Sequence, residues 1–230
     1  MPTNWPTSID TPHDPVSGES MASGQPGDLA QEITNLNDRT VAIENGIGSS
    51  TAQGLMVGYR LISRQVIGSA VASVTFSSIP GFYENLHLMW NVQNSTSTTS
   101  WLALQLNGIA TANYDAVLGW TEGAAAGAAG AGGVSDNGVT SARIGIVSGT
   151  ATANQASSGR LSIPNYARAS LIKAWFTSGM CFSGVGATGF YETSSGGQLR
   201  TLTTAVTSLT ILAQAANINP NSVLSLYGEG

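Results

Sequence analysis

Two histidines, His13 and His87, and one cysteine, Cys181, are the only imidazole and thiol groups of this 230-residue chain. One cysteine and two distant histidines cannot assemble a Cys/His zinc site within one chain. A threefold axis could gather three copies of His87 or of an acid, but nothing singles one out. A serine hydrolase needs Ser, His and an acid in contact, and its Gly-x-Ser-x-Gly elbow is absent. Glu84, Asp115, Glu122, Asp136 and Glu192 fall in or near expected loops, where a carboxylate pair could hydrolyse a glycosidic bond; dispersed surface acids are the simpler reading. The Gly/Ala-rich segment lacks the lysine and the strand-to-helix setting of a phosphate loop. Cys181, between Met180 and Phe182, reads as a buried free thiol. The expectation is therefore a non-enzyme with no cofactor and no metal.

Aromatic residues offer a different chemistry. Trp101, Tyr114, Trp120 and Tyr191 lie near expected turns beside Asn and Ser, where their rings could stack on sugar; packing in or at the edge of the core is the alternative. Asn94-Ser95-Thr96 matches a glycosylation acceptor, which has meaning only in a secreted chain.

Composition narrows the partners. Apolar residues make up 42% of the chain, but only 9% are charged, against roughly 25% in a typical soluble domain. Residues 1–48 hold seven acids (Asp10, Asp14, Glu19, Asp28, Glu32, Asp38, Glu44) and one base, Arg39, whereas residues 49–230 hold six acids and seven bases. That near-neutral body has no positive field for phosphates, so free nucleic acid is not an expected ligand. There is no basic-then-apolar leader at the N-terminus and no apolar run of about 20 residues. Neither secretion nor membrane insertion is expected, and assembly inside a cell is.

The elements that must position these residues fall into three parts. Residues 1–27 carry Pro2, Pro6, Pro12, Pro15 and Pro26, which cannot continue a helix or fill a central strand. This segment reads either as disordered or as an extended arm whose spaced apolar residues Trp5, Ile9, Val16 and Met21 anchor it on another protein. Residues 28–48 read as a helix capped by Asp28 and stopped by Gly46 and Gly48. Leu29, Ile33, Leu36, Thr40, Ile43 and Ile47 recur at alternating spacings of four and three, which are the a and d positions of a heptad seam. Such a helix either docks on its own domain or forms a short parallel coiled coil. Ile at both kinds of position favours three strands, and Thr40 weakens the middle.

Residues 49–230 read as one mainly β domain. Expected strands are 56–67, 70–76, 84–92, 100–106, 109–114, 139–148, 159–163, 169–177, 180–185, 188–193, 206–213 and 222–227. Leu86, Leu88, Trp90 and Val92 alternate onto one face, as do Leu102, Leu104 and Leu106. Asn107-Gly108 signals a type I′ hairpin pairing Leu106 with Ile109, and Asn137-Gly138 signals a second turn. The Gly/Ala-rich segment 122–133 is expected to be a loop, with 123–133 of unassigned role. Ile79-Pro80 and Ile163-Pro164 are each followed by an aromatic residue that would plug the edge of the core at a corner. Many short strands at this spacing indicate a jelly-roll-like β-sandwich.

Trp5-Pro6-Thr7-Ser8-Ile9-Asp10-Thr11, the Pro/Ser/Gly stretch after it, and Leu29 through Asp38 leading to Ala42-Ile43-Glu44 together resemble the opening of virion structural proteins of tailed bacteriophages. These include capsid decoration proteins, head fibres and minor tail fibres. The ending from Ile218 to Gly228 resembles the closing strand of their β-domains, and the Ile-Pro corners are similar. The resemblance covers the first 48 residues and pieces of the rest. It implies a virion-located homotrimer, assembled in the host cytoplasm. Trp5, Pro6, Ile9 and Val16 would grip major capsid or tail proteins, and the β-domain would project outward. The alternative within the same resemblance is a tail-fibre or tail-tip module that binds a host-surface glycan. Thr40 and the short seam depart from the longer, more regular coiled coils of such proteins.

Overall fold

The computed structural model describes residues 58–123, 129–149, 155–183, 189–214 and 216–230, and every regular element among them is a strand. The arm (1–27), the helix (28–48) and its seam lie outside the described residues.

Twelve strands follow one another: β1 (Tyr59–Val66), β2 (Ser73–Phe76), β3 (Asn85–Val92), β4 (Ser100–Leu106), β5 (Tyr114–Gly123), β6 (Ala129–Val139), β7 (Ala142–Val147), β8 (Ser157–Pro164), β9 (Lys173–Ser183), β10 (Gly189–Leu199), β11 (Leu209–Gln214) and β12 (Val223–Glu229). They form two antiparallel sheets, ordered β1-β12-β3-β8-β9-β10-β5-β6 and β2-β11-β4-β7. Pairing between them is nested. β1 pairs with β12, β2 with β11, β3 with β8 and β4 with β7, so four early strands run against four late ones as a single long ribbon. The ribbon is rolled on itself, because β12 also pairs with β3 and β11 with β4. Two hairpins, β5/β6 and β9/β10, are inserted into it and widen the first sheet from four strands to eight.

Period-two alternation explains why the sheets face each other. Leu86, Leu88, Trp90 and Val92 of β3 and Leu102, Leu104 and Leu106 of β4 are buried, while the intervening residues of β3 are partly or fully exposed. β7 packs across β5, β9 and β10, and Thr177 Oγ1 donates to the Ile144 carbonyl at 2.8 Å between the layers. Together the strands make one compact unit, Val57–Gly230.

Aromatic rings lie on glycines of the neighbouring strand. Trp90 is directly opposite Gly159, Trp120 opposite Gly132 and Trp175 opposite Gly197. A Cβ on Gly159 would fall inside the Trp90 indole and 2.9 Å from the Ser178 carbonyl oxygen. A flat ring can lie along a sheet only where its neighbour has no side chain, so these glycines are packing positions rather than breaks.

Four expectations are corrected. Asn137-Gly138 makes no turn between strands but an irregularity inside β6, where Asn137 pairs with Asp115 and Gly138 takes a φ of 61°. The chain turns at Asn107-Gly108, with φ of 51° and 66° and a 3.0 Å bond from Ile109 N to Leu106 O, but no hairpin follows. Leu106 pairs instead with Leu209, and residues 109–113 cross to the other sheet, so the expected strand 109–114 is absent. The described residues of the 122–133 segment, 122–123 and 129–133, are strand rather than loop: Glu122 pairs with Gly130 and Gly119 with Gly133, while 124–128 lie outside the described residues. Glycine and alanine have low β-propensity, and here the neighbouring Trp120 supplies the packing they lack.

At the corners, Tyr83 and Tyr166 are both buried. The Tyr166 hydroxyl donates to the Pro80 carbonyl, so the two corners touch each other.

Candidate functional site

Three of the four singled-out aromatics meet at one end of the sheets. Trp101 comes from β4, Trp120 from β5 and Tyr191 from β10; with Thr99, Ser100 and Ile146 they line a hollow of about 140 Å³. The rolled ribbon supplies Trp101 and Ile146, which are cross-strand neighbours. The inserted hairpins supply Trp120 and Tyr191, so the hollow exists only because they extend the sheet beyond the ribbon. The two indoles stand 5.8 Å apart, with their planes at 61°.

Charge around the hollow is organised and balanced. Arg143 holds its guanidinium 5.4 Å from the Trp101 ring centroid, a contact that fixes the indole and contributes roughly 0.5–1 kcal/mol. Asp136, buried on β6, accepts from Arg143 Nε at 2.9 Å and from its backbone N–H at 3.0 Å. Ser100 donates its hydroxyl to the Gln214 carbonyl. Burial and the neighbouring Glu122 carboxylate both raise the Tyr191 hydroxyl above the ordinary tyrosine pKa, which keeps it a donor. Behind Tyr191, burial pushes Cys181 up to about 12, so it remains a thiol.

Tyr114 does not join this group. It is fully buried; its oxygen accepts from Leu106 N–H and donates to the Ile109 carbonyl, both at 2.8 Å, and so pins the Asn107-Gly108 turn. Asn94 is also fully buried, with its amide donating to the Val147 carbonyl at 3.1 Å and its Oδ1 accepting from Thr96 N–H at 2.8 Å. That acceptor motif builds a turn.

No protein-family model, curated protein or solved structure matches this chain. What the site can do therefore follows from its chemistry alone.

A second constellation escaped the sequence. His87 Nδ1 lies 2.9 Å from Ser162 Oγ, and His87 Nε2 lies 2.8 Å from Glu229 Oε2, which also accepts from Asn85 Nδ2 at 3.0 Å. Contacts with His87 and Asn85 hold the Glu229 carboxyl below the usual range. Serine, imidazole and carboxylate are thus in line, yet Ser162 is buried within β8, which pairs with β3 on one side and β9 on the other. Its backbone N–H groups serve those ladders, and a tetrahedral intermediate needs free donors aimed at its oxyanion. The trio is better suited to tying β12, β3 and β8 together. Among the described residues no group of three His, Cys, Asp or Glu side chains could hold a metal ion.

Proposed function

We propose that this chain is a non-enzymatic structural subunit of a tailed-bacteriophage virion, a homotrimeric decoration or fibre protein. Residues 1–27 attach it to capsid or tail proteins, residues 28–48 trimerise it, and the β-domain is a jelly roll turned outward. The observation that carries the jelly-roll reading is the nested pairing. A ribbon of eight antiparallel strands rolled into two sheets is how that fold is wound, and β1-β12-β3-β8 against β2-β11-β4-β7 is the order such winding produces.

Support for sister subunits comes from the outer face of the eight-stranded sheet. Met89, Val117, Phe176 and Met180 stand exposed there, with Arg160 beside Met89, Glu192 beside Met180, and Gly196 between Val117 and Phe176. Apolar side chains on a broad sheet face, with one base and one acid at hand to pair across copies, are suited to burial against other copies. Deleting residues 1–27 is expected to leave a folded trimer that no longer binds particles. Co-sedimentation with particles lacking this subunit checks this, and retained binding would contradict attachment by the arm.

A second reading, a receptor-binding module for host-surface glycan, is favoured by one observation: Trp101, Trp120 and Tyr191 converge on a single hollow.

A further inference from the structure

We infer that the hollow between Trp101, Trp120 and Tyr191 binds one uncharged pyranose unit of a glycan, an inference that rests on the receptor-binding reading above. Size is the first reason. At about 140 Å³ it is well below the roughly 300–1,000 Å³ of pockets for drug-sized ligands, which leaves room for one ring rather than a branched oligosaccharide.

The lining is the second reason. A pyranose presents apolar C–H faces and a girdle of hydroxyls. The two indoles, packed edge to face at 61°, offer aromatic surface to the former. The latter would meet Thr99 and the oxygen of the Tyr191 hydroxyl, whose proton faces Glu122.

Charge is the third reason, and it selects against acidic sugars. No cation lines the hollow among the described residues. The nearby guanidinium of Arg143 is already bonded to the Asp136 carboxylate and lies against Trp101. A sugar carboxylate would find no cationic partner in this lining, whereas neutral hydroxyls can bond to Thr99 and Tyr191.

The test is a titration of the full-length chain, followed by tryptophan fluorescence and saturation-transfer NMR. The probes are methyl β-galactoside, methyl α-glucoside, N-acetylglucosamine, N-acetylneuraminic acid and cyclohexanol. A neutral pyranoside is expected to bind with Kd of about a millimolar, as a ligand of that size should. Trp120→Ala is expected to weaken it at least about tenfold, and Tyr191→Phe, which keeps the packing, about three- to tenfold. Unchanged melting temperatures would separate these losses from unfolding. Binding of N-acetylneuraminic acid alone, lost in Trp120→Ala, would overturn the neutral-sugar assignment and leave the receptor reading standing. Binding of no sugar, or sugar binding indifferent to both substitutions, would overturn both. Equal binding of cyclohexanol would mark a merely apolar hollow and overturn the assignment.

Discussion

Gly159→Val is expected to cost the β-domain about 3 kcal/mol, the upper end of what overpacking a core costs and a large share of the roughly 5–15 kcal/mol that holds a typical domain folded. Its position is central: Gly159 sits in β8 between Trp90 of β3 and Gly179 of β9. A side chain there must displace the Trp90 indole or part β8 from β9, since Trp90 covers it and the Ser178 carbonyl is 2.9 Å away. Trp90 is itself buried against Gly145 of β7 and has nowhere to go. Urea denaturation of wild type, Gly159→Val, Trp90→Ala and the double variant measures it. The indole and the new side chain compete for one space, so the double variant should be more stable than the sum of the single losses implies, by about 1–3 kcal/mol. Simple additivity would show that the ring does not lie on the glycine.

In the proposed trimer, replacing Ile33 and Leu36 with Asp is expected to give monomers of 23.5 kDa, with the β-domain still folded. Three copies of each substitution would bring six carboxylates to a seam with no compensating base nearer than Arg39. Each buried unpaired charge costs several kcal/mol, which the three apolar residues left in the seam, Leu29, Ile43 and Ile47, cannot offset. Light scattering reads the mass and circular dichroism reads the strand content; an unchanged mass would show that the seam does not hold the copies together.

Much of the β architecture was legible because burial imprints a period of two. β3 and β4 carry it plainly in Leu86, Leu88 and Trp90 and in Leu102, Leu104 and Leu106. β5 and β6 were not legible. Their inward residues include Gly132, a residue that signals breaks in a sequence and becomes a packing site only when Trp120 of the neighbouring strand lies over it. A tryptophan followed about twelve residues later by a glycine in a hairpin was the available signal.

The candidate site was legible in part. Trp101, Trp120 and Tyr191 could be named as aromatics beside turns, but their meeting depends on two inserted hairpins whose sheet position no local pattern encodes. Tyr114 looked equivalent to them. It points inward because the turn it follows leaves one donor and one acceptor, Leu106 N–H and Ile109 C=O, that a buried phenol can satisfy together. The His87, Ser162 and Glu229 contact was invisible for a simpler reason: its partners lie 75 and 142 residues from the histidine.

Sedimentation equilibrium of the intact 230-residue chain bears most directly on whether it works as a trimeric virion subunit. The expected result is a single species with the mass of three 23.5 kDa chains. A solitary 23.5 kDa molecule at micromolar concentration would contradict it.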